Sequence, residues 1–326
     1  MNNKEIDNIL TLAYSKKTTQ DNYRYRLNHL SSKIFNDKPI YEIISKPDDN
    51  YTTIRQAYPN ISTRKNVLTV ILALFKNSPK LQTLLPEELK RWKMFHDHMD
   101  SFQEAKYKKH VPDMKQLAKY TPFEDIELKY KSLKQAADPH ATQQDSLQLV
   151  LLSIIVTTPP KRSDYGEMKV FFEKDPNEKD MNYIVIRQQG QSYMVFNKYK
   201  SKDAKRVDQE LQPSVVKDIK DSLRRYPRSY LFINRFQNPY ITNDAYSKFV
   251  IRTFRKLFGR DTGVTMLRHI YITEKLSFDE MDDDELEEVA HQMMHTTKLQ
   301  RKYNWNKKAI CNTLKKLCDD CKKAKP

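Results

Sequence analysis

Residues 182–200, NYIVIRQQGQSYMVFNKYK, carry the clearest strand pattern in the sequence. NYIVIRQQ and SYMVFNKYK are rich in β-branched and aromatic residues and flank Gly190, which is typical of a β-hairpin. KRVDQEL, residues 205–211, is a candidate third strand, and we find no convincing strand before about residue 180. The sequence therefore predicts a mainly α-helical chain with a small β-sheet.

The first hundred residues have helical periodicity. TRKNVLTVILALFKNSP, residues 63–79, predicts a strongly apolar helix, and Pro86 stands at the start of another. AKYKKHVPDM, residues 105–114, is basic and is broken by Pro112, as expected of a linker. These features predict a helical domain over 1–104, a basic linker over 105–118 and a second domain over 119–326 with an amphipathic C-terminal tail.

Helices also surround the hairpin in the second domain. QQDSLQLVLLSIIVTT is an apolar helix that ends before two consecutive prolines, and Gly259 closes a helix over residues 242–258. VTMLRHIYITEKL predicts a further helix. In DDDELEEVAHQMMH, Asp284 and Glu287 have capping-box spacing, and His295 falls at the helix end.

Composition limits the function. The 326 residues carry a formal net charge of +16, which favours an anionic partner, above all nucleic acid. No apolar run is long enough for a membrane span or signal peptide, so we expect an intracellular protein with no membrane association, in either the nucleus or the cytoplasm. Only four glycines are present and no phosphate-binding Gly motif occurs, so no nucleotide cofactor is implied.

Metal sites are only weakly indicated. The three cysteines, Cys311, Cys318 and Cys321, lack an obvious fourth zinc ligand and fit reduced thiols on a helix better. The acidic run FDEMDDDELEE is better explained by helix capping than by a two-metal nuclease site. The sequence thus implies neither a cofactor nor a metal.

Five polar residues interrupt or follow the apolar elements where packing does not require them. Arg162 follows the proline pair, Lys200 lies at the end of the hairpin, with Lys198 as second choice, and Arg268 interrupts an apolar helix. The last two members of this ordered set are His295 and Tyr303.

This ordered set resembles the tyrosine recombinases, the family of phage integrases and Xer-type resolvases. TTPPKRSDYGEM is similar to the segment of the first catalytic Arg, FNKYKSKDAKR to the Lys hairpin, VTMLRHIYIT to the H-x-x-R-H helix and MMHTTKLQRKY to the G-H-S…Y ending. The likeness covers roughly residues 120–310 and is nearest to forms from mobile elements and large DNA viruses. It implies two domains, a helical core-binding domain and an α+β catalytic domain.

The resemblance also implies roles. Tyr303 attacks a DNA phosphodiester to give a 3′-phosphotyrosyl intermediate, while Arg162 and Arg268 bind the phosphate oxygens without a metal. Lys200 protonates the leaving 5′-oxygen, and His295 either donates to a non-bridging oxygen or helps to take the phenolic proton.

Two departures from the family pattern are visible. Thr265 stands where the second motif usually has His, and the interval from His295 to Tyr303 is one residue shorter than expected. Thr265, Asp164 and Lys198 are auxiliary candidates, with Asp164 as an acceptor that orients a neighbouring side chain.

The implied function is site-specific recombination or integration of double-stranded DNA. By resemblance we expect a monomer or weak oligomer free in solution and a homo-tetramer on DNA. Two alternatives remain open: a type IB DNA topoisomerase, and a catalytically silent DNA-binding relative in which Thr265 marks the loss of activity.

Overall fold

A computed structural model describes residues 3–136, 138, 140–199 and 206–313 of the chain. The chain divides into two compact units, Met1–Lys109 and His110–Pro326, called units 1 and 2. The predicted fold class is confirmed at the level of secondary structure, since the described residues are mainly helical with one small sheet.

Unit 1 is helical throughout its described part. A π-helical turn at Leu30–Ile34 extends its second helix. The helices are α1 Asn3–Ala13, α2 Lys17–His29, α3 Ile40–Ile44, α4 Pro47–Ala57, α5 Ile61–Lys76, α6 Pro79–Leu84 and α7 Pro86–Lys108.

Local signals in the sequence set these helix ends. The Asn60 side chain accepts hydrogen bonds from two backbone N–H groups in the first turn of α5, and Pro86 occupies the first turn of α7. The apolar face of α5 packs against α7. Trp92 of α7 is fully buried in this core, and its indole N–H donates to the Ile44 carbonyl at 2.8 Å.

The basic stretch predicted as a linker over 105–118 is partly helical. Residues 105–108 continue α7 to Lys108, and Met114–Leu117 form a short helix, α8. Asp113 caps α8 with a reciprocal capping box to Gln116. This cap, placed directly after Pro112, explains why a new helical turn starts there.

Unit 2 contains the remaining helices and the sheet. A helical stretch also covers residues 307–313. The helices that follow α8 are α9 Phe123–Ala136, α10 Gln143–Thr157, α11 Pro213–Arg225, α12 Asn243–Phe258, α13 Val264–Lys275, α14 Asp283–Gln292 and α15 Thr297–Tyr303.

The predicted helix ends in unit 2 are confirmed with one correction. Helix α10 stops at Thr157, before the two prolines, and Gly259 ends α12 with a left-handed backbone, φ 67°. The capping box of α14 was placed wrongly, because Asp282 and Glu285 form it in place of Asp284 and Glu287. Asp282 with Glu285 and Asp284 with Glu287 have the same spacing, so the sequence alone does not select one pair.

The sheet has four strands in the order β1-β2-β3-β4. The predicted hairpin is confirmed, since β2 (Tyr183–Ile186) and β3 (Tyr193–Phe196) pair antiparallel with Tyr183 opposite Val195. The third strand is also confirmed as β4 (Val207–Glu210), which pairs antiparallel with β3.

The prediction that no strand occurs before about residue 180 was wrong. Strand β1 (Lys169–Phe172) pairs parallel with β2, with Lys169 opposite Tyr183. It spans only four residues and none of them is fully buried, so it lacks the alternation that marks a strand in sequence.

One buried cluster joins the elements that carry the predicted site. It includes Leu151 of α10, Ile184 of β2, Phe249 of α12 and Ile270 of α13. Helix α13, which carries Arg268, therefore packs in the same core as α10, β2 and α12. Among the described residues, no helix is both long and apolar enough to cross a membrane.

Candidate active site

Arg162 lies in a tight turn directly after the proline pair. Its backbone N–H donates to the Asp164 carboxylate at 3.0 Å, and its side chain is half-buried. Gly166, which follows, approaches the backbone of Tyr240, and a Cβ there would lie 2.5 Å from the Tyr240 carbonyl oxygen. The Tyr240 N–H donates to the Gly166 carbonyl at 2.9 Å, so the turn is fixed against the segment that precedes α12.

A cleft of about 640 Å³ opens beside this turn. It brings together four of the predicted residues, Arg162, Asp164, Lys198 and Thr265. Lys198 and Thr265 are exposed there. Three tyrosines also line the cleft: Tyr199, Tyr230 and Tyr240.

Asn182 joins the two sides of the cleft, and sequence reasoning missed it. Its amide N–H₂ donates at 2.9 Å both to the Asp164 carbonyl and to the Lys198 carbonyl. Its amide oxygen accepts from the backbone N–H of Asn197 and of Lys198. One buried side chain therefore fixes the end of β3 relative to the Arg162 turn.

Lys200, the first choice for the hairpin lysine, lies outside the described residues. Lys198 is the candidate that the structure places, at the rim of the cleft.

Arg268 is fully buried on α13, at 0% exposure. Its guanidinium donates to the Met293 carbonyl at 2.9 Å and to His295 Nδ1 at 2.5 Å. Burial, followed by the positive charge of Arg162, lowers its pKa to about 10, although Tyr303 and Asp164 act to raise it. The two predicted arginines are thus close enough for their charges to interact. Because the pKa stays near 10, Arg268 keeps its charge at neutral pH.

His295 is positioned by the end of α14. The His295 N–H donates to the Ala290 carbonyl and the Met294 N–H to the His291 carbonyl, which is the Schellman pattern of hydrogen bonds. Met294 takes a left-handed backbone with φ 55°, a conformation that glycine adopts more easily.

The environment of His295 determines its protonation. Burial, together with the positive charges of Arg268 and Arg162, lowers the pKa of His295 to about 3, so the ring is neutral near pH 7. Arginine has no acceptor, so Nδ1 accepts the hydrogen bond and the ring hydrogen lies on Nε2. Within the described residues, this Nε2 atom and Nε of Arg268 are buried without a hydrogen-bond partner.

Tyr303 is the last residue of α15 and is half-buried. The Arg268 guanidinium carbon lies 5.6 Å from the centre of its ring, and the His295 ring centre is 5.9 Å away. The structure therefore brings Arg268, His295 and Tyr303 into one cluster. Arg162 and Asp164 connect this cluster to the cleft through their charges.

Lys161 is a second site residue that sequence reasoning missed. It is 2% exposed, its ammonium donates to the Gln209 side-chain oxygen at 3.0 Å, and it lies 5.4 Å from the centre of the Phe196 ring. Burial, followed by the charge of Arg268, lowers its pKa to about 7, although Asp164 acts to raise it. A sequence signal was present, since Lys161 directly precedes Arg162, but a single basic residue beside another does not indicate burial.

The site is cationic and offers N–H donors. Arg162, Arg268 and Lys198 supply positive charge, and His295 supplies a neutral donor. Such donors fit the oxygens of a phosphate. The described residues contain no group of three or more His, Cys, Asp or Glu side chains that could hold a metal ion, and Cys311 is exposed as a free thiol. Cys318 and Cys321 lie outside the described residues.

The sequence matches no protein-family model and no curated protein sequence. Among solved structures, the chain is similar to one titled "Crystal structure of XerA recombinase", with 13% identity over 95% of this chain and 96% of that chain and a TM-score of 0.40. This likeness is too loose to assign residues or chemistry, which therefore rest on the chain's own side chains.

Proposed function

We propose that the chain is a tyrosine recombinase that cuts and rejoins double-stranded DNA through a covalent 3′-phosphotyrosyl intermediate at Tyr303. The observation that carries this proposal is the cluster around Arg268, which contacts His295 and faces the Tyr303 ring. Two buried N–H groups of this cluster, on Arg268 and His295, have no partner among the described residues. Buried donors without partners cost free energy, and a bound phosphate removes that cost.

The reaction follows from these positions. The Tyr303 oxygen forms a bond to phosphorus, the bond from phosphorus to the 5′-oxygen breaks, and the phenolic proton passes to solvent water. The guanidiniums of Arg162 and Arg268 offset the negative charge that develops on the non-bridging oxygens. The departing 5′-oxygen takes a proton from a lysine, and a second 5′-hydroxyl can later reverse the step.

The geometry favours one of the two roles considered for His295. Its hydrogen lies on Nε2 and its Nδ1 lone pair is already used by Arg268, so the neutral ring has no free lone pair to accept the phenolic proton. We therefore assign His295 as a donor to a non-bridging phosphate oxygen.

The proton for the leaving group comes from the end of the hairpin. Lys198 lines the cleft beside Arg162 and is held at its backbone by Asn182. Lys200 remains the candidate that the family resemblance favours, and both lysines are proposed for test.

Two auxiliary residues complete the proposal. Thr265 places a hydroxyl on the cleft where relatives carry an imidazole, and we propose that it donates to the same phosphate. Asp164 holds the backbone of Arg162 through its carboxylate, whose pKa burial raises. Its role is to fix the Arg162 turn.

The partner proposed for the site is double-stranded DNA. The formal net charge of +16 suits a phosphate backbone, and unit 1 is proposed as the helical core-binding domain. A homo-tetramer on DNA, an intracellular location and an origin in a virus or mobile element belong to the same proposal.

A type IB topoisomerase is the enzymatic alternative, because Thr265 replaces the imidazole usual in recombinases. Joining of two differently labelled duplexes supports recombination. Relaxation of supercoiled DNA without such joining supports the topoisomerase.

The proposal is tested with a pool of end-labelled duplexes that share a nick inside a random-sequence core. The nick releases a short fragment after cleavage, so the covalent complex accumulates and is detected by denaturing electrophoresis. We expect a labelled protein band in the presence of EDTA that is lost in Tyr303→Phe. Tyr199→Phe and Tyr230→Phe, which remove other phenols at the cleft, should retain the band. Loss of the band in one of these controls but not in Tyr303→Phe would overturn the assignment of Tyr303.

A further inference from the structure

The segment from Tyr303 to Asn306, called the 303–306 segment, is held by the first residue of unit 2. The His110 ring nitrogen Nδ1 lies 2.8 Å from the Asn304 carbonyl oxygen, and the Asn306 N–H donates to the His110 carbonyl at 2.7 Å. A carbonyl oxygen only accepts, so Nδ1 of His110 carries the hydrogen. One residue therefore binds the segment twice, once through its side chain and once through its backbone.

The other two residues of the segment are held by α13. His269 Nδ1 lies 2.9 Å from the Tyr303 carbonyl oxygen, and the Trp305 N–H donates to the Thr273 hydroxyl at 3.0 Å. The His269 ring also stacks on Trp305, with ring centres 4.1 Å apart. Burial lowers the pKa of His269 to about 4, which keeps this ring neutral.

Each of four successive residues thus has a backbone group fixed by a partner outside α15. A segment that only connects two helices does not need these four hydrogen bonds, because the backbone N–H and C=O groups of a surface loop ordinarily bind water. The phenol of Tyr303 has few rotatable bonds, so fixing its backbone also restricts its oxygen.

His110 itself has an unusual backbone, with φ 47°. This left-handed conformation is uncommon outside glycine, although asparagine, aspartate and histidine adopt it more often than other residues. It directs both the ring and the carbonyl of His110 at the 303–306 segment, which suggests that the contact is the reason for the conformation.

We propose that His110 is a positioning residue for the nucleophile. Through Asn304 and Asn306 it holds the end of α15 so that the Tyr303 phenol stays beside Arg268. This inference rests on the proposed function. It means that the first residue of unit 2 helps to position the nucleophile. The sequence pattern did not indicate this role.

The test uses substitutions that keep the left-handed backbone. His110→Asn places an amide N–H₂ near the position of Nδ1 and can donate to Asn304, whereas His110→Asp offers only acceptors. His110→Gly removes the side chain without adding charge. His140→Asp, an exposed histidine of the same unit, controls for the change in charge.

Two readouts separate positioning from stability. The first is the rate of covalent adduct formation on the nicked pool, with affinity for the same DNA measured by mobility shift. We expect His110→Asp and His110→Gly to slow the adduct by about fivefold to tenfold with unchanged affinity. His110→Asn and His140→Asp should behave like the parent chain.

The second readout does not need activity. The chain has two tryptophans and both are buried, Trp92 at 0% exposure in unit 1 and Trp305 at 6%. Because Trp305 belongs to the 303–306 segment, a rise in acrylamide quenching of fluorescence in a His110 variant reports on the release of that segment. We expect more quenching in His110→Asp and His110→Gly and no change in His110→Asn.

The outcomes are distinguishable. Parent-like rates and quenching in His110→Asp and His110→Gly would overturn the inference and leave the proposed function intact. A parent chain that forms no adduct overturns the proposed function, and unchanged quenching then shows separately that His110 does not hold the segment.

Discussion

Replacement of Arg268 by lysine tests the cluster at its centre. Lysine keeps the positive charge, but its three N–H donors lie on one nitrogen, so it cannot reproduce the fork in which two separate nitrogens donate to the Met293 carbonyl and to His295 Nδ1. It also lacks an equivalent of Nε, the donor that has no partner among the described residues. The substitution therefore removes at least one donor that we assign to the phosphate.

The expected loss of rate in Arg268→Lys follows from the type of contact that is removed. One donor directed at charge that develops in a transition state contributes about 3 kcal/mol, which is a loss of about 10²–10³ in rate. Affinity for DNA should change by less than about threefold, because phosphate contacts spread over the duplex dominate binding. Arg268→Lys should thus reduce the rate constant of adduct formation and leave the dissociation constant nearly unchanged.

Arg228→Lys is the matched control. Burial lowers the pKa of Arg228 to about 10, as it does for Arg268, but Arg228 donates to the carbonyls of Ser222, Tyr226 and Leu231 in a structural role. Both variants should lose stability in thermal denaturation, so rates are compared where circular dichroism shows folded protein. Equal adduct rates in the two variants would refute the role given to Arg268.

Three further results are expected. Burial lowers the pKa of Lys161 to about 7 in the folded chain, against 10.5 for the free side chain. Between these two pH values the folded chain binds fewer protons than the unfolded chain, so its stability rises with pH. Lys161→Met should abolish that rise in thermal melts, and an unchanged pH profile would show that Lys161 is not buried. Burial and the nearby arginines lower the pKa of His295 to about 3, so the ring should not titrate near pH 6.5, and the stability of the fold should be lost as pH falls from 6.5 towards 3. ¹⁵N NMR of the ring should show the hydrogen on Nε2. A titration midpoint near pH 6.5 would contradict this. Gly166→Ala should lower the melting temperature and the adduct rate, because its Cβ would meet the Tyr240 carbonyl at 2.5 Å. Gly263→Ala, whose Cβ would lie 3.4 Å from the Ile251 side chain, should change both little, so equal effects of the two variants would argue against the close approach at Gly166.

Features that depend on neighbouring residues were predictable. The two prolines that stop α10, the left-handed Gly259 and the strand pattern around Gly190 act through the local backbone, so their outcome is visible in sequence. The helix that carries Arg268 was recognised for the same reason.

Features that depend on contacts between residues far apart in the sequence were not predictable. Strand β1 is short and pairs in parallel with β2, and only the partner makes it a strand. Asn182 binds Asp164 and Lys198, which lie 18 and 16 residues away, so its polar side chain resembles any surface asparagine in sequence. His110 contacts Asn304 across 194 residues.

The roles of Arg162, Arg268, His295 and Tyr303 remain predictions that the geometry makes specific. The structure adds the hydrogen-bonding state of His295, which favours a donor over a base. That distinction depends on the three-dimensional contact, because sequence spacing gives no information on which ring nitrogen is engaged.

The most direct measurement is to locate the DNA on the protein. The covalent complex from the nicked pool is digested with protease and nuclease, and the modified peptide is sequenced by mass spectrometry. We predict a nucleotide linked through its 3′-phosphate to Tyr303. A nucleotide on Tyr199, Tyr230 or another side chain, or no modified peptide at all, would contradict the account.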